Sequence, residues 1–238
     1  MPVTKGPGLR YDPFMHGRAA AIGSMLILSA ACPVAAPAQD QPLRVRTTEA
    51  LAPCVRAAAD AYTRHGRTVL VDVGTLSEAR HGDAMVGGST EVTRAIEGGH
   101  AVEGSDLDVA HIPWVLAVRA EGESRVDSLD DLLQGREEIW VFGGSVGYEA
   151  RRALQGLPAE RLHLTTDLDQ LAQAEVAVLP LSLAAGTPGP VLEIPPILAR
   201  AVVAADSGAR EAAGAFVRFL GSADGREAFS ICGNEGAR

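Results

Sequence analysis

The chain beyond residue 42 alternates strand-like and helix-like segments, and this order restricts the fold more than any other feature. "LRVRTT" (43–48) alternates as a strand does, and "ALAPCVRAAADAYTRHG" (50–66) has apolar residues at helical spacing. "TVLVDVG" (68–74) and "DAMVGG" (83–88) are apolar strands, and the helical segment "STEVTRAIEGG" follows the second. Alternating β and α units are typical of parallel sheets covered by helices, so we predict an α/β fold.

The alternation continues through the second half of the chain. "DLDVAHIPWVLAVRA" (106–120) predicts a long, mostly buried strand that bends at Pro113. "SLDDLLQG" (128–135) predicts a short helix with Ser128 as its N-cap, and the strand "EIWVFGG" and the helix "SVGYEARRALQGL" come next. "AEVAVLPLSLA" predicts a further strand, and "AREAAGAFVRFLGS" and "ADGREAFSICG" predict two closing helices.

Charge and composition exclude several classes of partner. The formal net charge is −9, which argues against a polyanion and against an anionic membrane surface. Aromatic residues make up only 4%, so base-stacking platforms are not expected. We therefore predict that the protein does not bind nucleic acid.

The N-terminus resembles an export signal. Positive charge precedes the apolar run "AAAIGSMLILSAA", which is too short for a typical membrane span. Ala36 and Ala38 fit an A-x-A cleavage site, so we predict that 1–38 is a signal peptide and that Gln39 begins the mature chain. The alternative is lipoprotein processing at Cys32, after "LSAA".

No motif points to catalysis or to a metal. Neither Cys54 nor Cys232 has a second Cys or a His at metal-ligand spacing, so no zinc site is expected. "GGSVG" (143–147) has the G-x-S-x-G spacing, but no spacing of Ser, His and Asp singles out a catalytic triad. The chain contains no phosphate-binding glycine motif. We expect a non-catalytic protein without a cofactor.

The order of segments resembles the type II periplasmic binding proteins, above all the molybdate-binding branch of ABC importers. "GDAMVGGSTEVTRAIEGG" resembles that family's strand and helix after the second ligand loop, and "HIPWVLAVRA" its crossover strand. "SLDDLLQGREEIWVFGGSVGYEARRAL" is similar to the entry into the second lobe. The most specific likeness is the closing segment "SGAREAAGAFVRFLGSADGREAF".

The resemblance implies two α/β lobes joined by a hinge, with a ligand in the inter-lobe cleft. Lobe one would comprise 39–117 plus 197–238, and lobe two 118–196. The chain would cross between the lobes near 118–121 and return near 182–188. The protein would be a periplasmic monomer that delivers its ligand to the membrane subunits of an ABC importer.

The resemblance also implies the binding residues. In the family, hydroxyls and backbone N–H groups at helix N-termini bind an oxyanion without a charged partner. The positions that match in this sequence are Thr47, Thr48, Thr75, Ser145, Gly147, Tyr148 and Ser182. Thr47 and Thr48 are equally open to interpretation as helix caps or strand-edge residues, and Ser145 as a helix N-cap, a common use of hydroxyls at such positions.

Two functions remain open at this point. One is a receptor for a molybdate-like or tungstate-like oxyanion. The other is a sensor or accessory protein of the same fold without a transport role, which binds a protein partner or a different ligand. The segment "LSEARHGD" is shorter than its counterpart in the family, which favours the second function slightly.

The resemblance finally brings two cysteines together. Cys54 opens the first helix of lobe one, and Cys232 ends the closing helix, which in this fold packs back on lobe one. Disulfides persist in exported proteins. We predict a Cys54–Cys232 disulfide, with two buried free thiols as the alternative.

Overall fold

The computed structural model describes residues 41–78, 82–118, 126–144, 146–184 and 189–232, which form nine strands and seven helices. The strands are β1 (Leu43–Thr47), β2 (Val69–Val73), β3 (Ala84–Gly88), β4 (Leu107–Ile112), β5 (Trp114–Val118), β6 (Ile139–Phe142), β7 (Leu162–Thr165), β8 (Val176–Pro180) and β9 (Ile197–Val203). The helices are α1 (Ala52–Thr63), α2 (Ser89–Glu97), α3 (Leu129–Gln134), α4 (Tyr148–Ala153), α5 (Leu168–Gln173), α6 (Arg210–Leu220) and α7 (Ala223–Phe229). The predicted signal peptide, Cys32 and Ser145 lie outside the described residues.

The strands form two separate sheets. The first has the order β2-β1-β3-β9-β4 and the second the order β5-β8-β6-β7. β1 is parallel to β2 and β3, and β6 is parallel to β7 and β8. β9 is antiparallel to both of its neighbours, and β5 is antiparallel to β8. The predicted α/β fold is confirmed.

Local sequence explains why β1 and α1 form where they do. Leu43 and Val45 are buried while Arg44 between them is exposed, as the period of a strand requires. Pro53 lies in the first turn of α1, where its missing N–H costs nothing. Gly66 follows the helix with φ of 102°, a conformation that side chains with a Cβ rarely adopt.

The apolar segment 106–120 forms two strands in different sheets rather than one bent strand. β4 ends before Pro113 and pairs with β9, whereas β5 begins after it and pairs with β8. The chain therefore changes sheets at Pro113, earlier than the predicted 118–121. Proline supplies no N–H to a ladder, which explains why pairing stops there.

The return to the first sheet is also later than predicted. Leu192 N donates to the backbone oxygen of Trp114, and Val191 forms a β-bridge with Val115, so this segment still belongs to the second sheet. The chain rejoins the first sheet at Ile197, where β9 begins, and not at 182–188.

A disulfide joins α1 to the 3-10 turn that follows α7. Cys54 in α1 and Cys232 in the 3-10 turn after α7 are bonded, with their Cα atoms 5.9 Å apart. Both residues are buried, and α7 packs against α1.

The described part of the chain contains no helix long and apolar enough to cross a bilayer.

Hydrogen bonds at the N-terminus of α3, above all the one from the Ser128 side chain, lower the pKa of Asp131. Ser128 Oγ donates to the Asp131 carboxylate at 2.7 Å and accepts from the Asp131 N–H at 3.1 Å, as the N-cap prediction requires. The Ser128 hydrogen bond is the largest cause of the lowered pKa, and a backbone bond from Asp127 adds to it.

We predict that Ser128→Ala raises the pKa of Asp131 toward its ordinary value, as an NMR titration of the carboxyl group would show. Because a lowered folded-state pKa stabilises the fold only while the carboxylate is ionised, wild type should exceed the variant in stability at neutral pH. This difference should shrink as the pH falls through the folded pKa of Asp131. An unchanged Asp131 titration in the variant would contradict the assignment.

Candidate functional site

The carboxyl ends of three parallel strands meet at one edge of the first sheet. Thr47, the last residue of β1, is in register with Val73 of β2 and Val86 of β3. Gly74 N donates to the Thr47 backbone oxygen at 2.8 Å, so the loops after β1 and β2 start side by side. Ligands of open α/β sheets bind outside the carboxyl ends of strands, which makes this edge the place to search.

Thr47 and Thr48 carry buried hydroxyls that have no hydrogen-bond partner among the described residues. Their exposed fractions are 0% and 6%. Thr48 is the N-cap of the 3-10 turn at Glu49–Leu51, but its side chain makes no capping bond. The capping interpretation therefore does not describe either threonine. An unsatisfied buried hydroxyl costs about 1–3 kcal/mol, so each needs a ligand or an ordered water.

Elements of the second sheet approach this edge through two backbone carbonyls. Ser182, which follows β8, donates from its Oγ to the Ala50 oxygen at 2.5 Å. Leu181 N donates to the Pro113 oxygen at 2.9 Å. We call the group formed by Thr47–Ala50, Pro113–Trp114 and Leu181–Ser182 the junction. Because Ser182 already donates within the protein, its hydroxyl proton is not available to a ligand in this state.

Gly88 is a second point of contact between the two sheets. A Cβ on Gly88 would lie 3.3 Å from Val146 Cγ1, and Val146 belongs to the loop that follows β6. A Cβ at this distance would force Val146 to move by a few tenths of an ångström, and a larger side chain would force it to move further.

We predict that Gly88→Leu lowers the free energy of unfolding by about 1–3 kcal/mol, the usual cost of overpacking. The Gly88 backbone has φ of −64°, so the cost would come from packing against Val146 rather than from strain. Gly208 is the matched control, because a Cβ there would have no neighbour within 4 Å. Equal stability of Gly88→Leu and Gly208→Leu in urea unfolding would contradict this contact.

Thr75 lies at the surface and lines a different cavity. It is exposed, and its backbone oxygen accepts from Arg46 Nε at 3.3 Å. The cavity, of about 280 Å³, also includes Arg94 and His100. The neighbouring N-terminus of α2 is occupied by the protein itself, because the buried Glu91 carboxylate accepts from Gly88 N at 3.1 Å. An anion at that helix end would meet a carboxylate.

Gly147 is the N-cap of α4. Gly147 lines a cavity of about 420 Å³ together with Gly144 and Arg151. Of Tyr148 only the backbone, which opens α4, is described. The structure thus brings Thr47, Thr48 and Ser182 together at the junction, and it places Gly147 and Thr75 in two separate cavities.

No Arg, Lys or His belongs to the junction, and Glu49 is its only acidic residue. Glu49, the acid next to Thr48, is exposed. Within the described ranges no three His, Cys, Asp or Glu side chains are grouped so that they could hold a metal ion. Trp114 is a buried residue of the junction that the sequence did not predict as a site residue. Its only distinguishing feature in the sequence is its position next to Pro113.

A protein-family model described as "bacterial extracellular solute-binding protein" matches residues 43–233. No curated protein matches the chain.

Solved structures of two-lobe binding proteins share the fold. The Azotobacter vinelandii periplasmic molybdate-binding protein is similar with a TM-score of 0.70 at 17% identity, over 82% of this chain and 100% of that one. The sulfate-binding protein from Mycobacterium tuberculosis has a TM-score of 0.67 at 15% identity, with 83% and 87% covered. Iron-bound HitA from Pseudomonas aeruginosa has a TM-score of 0.59 at 17% identity, with 82% and 85% covered.

Proposed function

Because the chain belongs to the bacterial extracellular solute-binding proteins, we propose that it captures a small oxyanion in the cleft between its two sheets. In this proposal it works in the periplasm and passes the ligand to the membrane subunits of an ABC importer. By sheet membership, lobe one would include 41–112 and 197–232, and lobe two 114–192.

The buried hydroxyls of Thr47 and Thr48 are the observation that carries the proposal. A folded protein rarely leaves two adjacent buried hydroxyls without partners, and an oxyanion supplies acceptors for both. Hydrogen bonds to an ionised acceptor are about twice as strong as neutral ones, which offsets the desolvation of the anion. Neutral donors also fit a junction whose residues include no Arg, Lys or His.

Two of the similar structures support this class of ligand. They are named for molybdate and for sulfate, which are both small tetrahedral oxyanions. Carried to this chain, the likeness favours an anion whose oxygens point in several directions, so that donors from both sheets can reach it. The proposed contacts are the hydroxyls of Thr47 and Thr48, with Thr75, Ser145, Gly147 and Tyr148 as further candidates if the lobes close around the ligand.

A thermal-shift panel of molybdate, tungstate, sulfate and phosphate tests the proposal. A ligand at 100 times its Kd stabilises the folded state by about 2.7 kcal/mol, which corresponds to a rise in Tm of about 5–10 °C for a chain of this size. Sodium chloride at matched ionic strength is the control for nonspecific salt effects. If no anion of the panel moves Tm beyond that control, the oxyanion proposal fails.

A sensor or accessory role without transport is the second candidate. It is favoured by the short connection between β2 and β3, and by Glu91, which fills the N-terminus of α2 that an anion would need. An empty panel together with a stable complex between the protein and another exported protein would support this role instead.

A further inference from the structure

Six buried side-chain polar atoms have no hydrogen-bond partner within the described parts of the chain, and they fall into two groups. Three belong to charged or titratable side chains with another polar contact at hand. His163 Nε2 is 3.6 Å from the Glu138 carboxylate, and Arg200 Nε is 2.9 Å from that of Asp108. The third, on Arg67, shares its guanidinium with a nitrogen that donates to the backbone.

The other three atoms have no such explanation, and all of them belong to the junction. They are the hydroxyls of Thr47 and Thr48 and the indole nitrogen of Trp114, whose exposed fraction is 0%. Trp114 opens β5 directly after the chain changes sheets, and its Cα is in register with Pro180, two residues before Ser182. Ser182 in turn bonds to Ala50, two residues after Thr48.

We infer that Trp114 is a ligand-binding residue of the same site, and that its indole N–H donates to the oxyanion. The inference rests on the proposed function and adds a residue from the second sheet to the two threonines from the first. A buried indole N–H without a partner is costly to the ligand-free protein. A bound oxyanion would satisfy all three atoms at once, with donors from both sides of the junction.

The chemistry of the indole also defines the kind of ligand atom that it would contact. An indole N–H only donates, whereas a threonine hydroxyl both donates and accepts. The ligand atom that Trp114 contacts must therefore act as an acceptor. Molybdate, sulfate and phosphate all present such oxygens at neutral pH.

NMR of the protein labelled with ¹⁵N-tryptophan observes the indole directly. The chain has two tryptophans, so the spectrum should contain two indole N–H signals, and Trp140→Phe assigns them. Trp140 is the matched control, because it lies in β6 and stacks on His163 with ring centroids 4.8 Å apart. Addition of sodium molybdate should shift the Trp114 signal strongly and leave the Trp140 signal nearly in place.

Calorimetry with the same anion supplies the second measurement. Trp114→Phe keeps most of the ring and removes the N–H, so it should weaken molybdate binding about 10- to 100-fold. Trp140→Phe should bind as wild type does. If Trp114→Phe does not fold, the NMR result on wild type decides alone.

The outcomes distinguish a failure of this inference from a failure of the proposed oxyanion-binding function on which it rests. If wild type binds molybdate but the Trp114 signal stays still and Trp114→Phe binds equally well, Trp114 is not a ligand and only this inference is overturned. If wild type binds no anion of the panel, the proposed function itself is contradicted, and the role of Trp114 is rejected with it.

Discussion

Removal of the Cys54–Cys232 disulfide should lower the free energy of unfolding by about 4–5 kcal/mol. The bond joins residues 178 positions apart, and in the chain-entropy model a cross-link that closes so long a loop strongly restricts the unfolded chain. A loss of this size is a large fraction of the total stability of a typical domain. The double variant Cys54→Ala/Cys232→Ala, unfolded in urea, measures it.

Dithiothreitol supplies the control, because it reduces the bond without changing the sequence. It should lower the stability of wild type and have no effect on the double variant. Two free thiols at Cys54 and Cys232 in the denatured, unreduced protein would contradict the bond.

The double variant Thr47→Val/Thr48→Val should lose oxyanion binding and gain stability. Two lost hydrogen bonds to an anion are worth about 3–6 kcal/mol, or at least about a hundredfold in Kd. Valine has nearly the shape of threonine but no hydroxyl to leave unsatisfied. The ligand-free protein should therefore become more stable by about 2–6 kcal/mol, because the cost of about 1–3 kcal/mol for each unpartnered hydroxyl disappears.

Thr63→Val is the control, and its expected change in stability has the opposite sign. The Thr63 hydroxyl donates to the Ala59 oxygen at 2.9 Å within α1, so its removal should cost stability and leave anion binding unchanged. If Thr47→Val/Thr48→Val destabilises the ligand-free protein as Thr63→Val does, the two hydroxyls have partners in solution and the site loses its main support.

The sequence predicted the elements of the fold well because their signals are local. Apolar alternation locates β1, the proline in the first turn locates α1, and Ser128 caps α3 as expected. The pairing of Cys54 with Cys232 was implied by the family's topology, since nothing local relates residues so far apart.

The change of sheet at Pro113 could not be predicted, because it depends on contacts between distant segments and not on a local signal. β4 and β5 form one nearly continuous apolar segment, and hydrophobicity does not say which sheet a strand joins. The site shows the same limit. A threonine at a strand end is a cap or a ligand according to its partners. Only the structure shows that, among the residues it describes, the hydroxyls of Thr47 and Thr48 have none.

Trp114 shows how a site residue escapes sequence reasoning altogether. A tryptophan in an apolar run predicts a core residue, and Trp114 is indeed fully buried. Its interest comes from the unpaired indole nitrogen and from its place at the junction, and both depend on contacts between distant segments.

The position of bound molybdate tests the central claim most directly. Molybdenum scatters anomalously, so a crystal of the protein grown with sodium molybdate gives the site without assumptions about the ligand's neighbours. We predict one strong anomalous peak at the junction, with oxygens of the anion accepting hydrogen bonds from Thr47 Oγ1 and Thr48 Oγ1. A peak in the cavity beside Arg151 or the cavity beside Thr75, with the two threonine hydroxyls still unpartnered, would contradict the account.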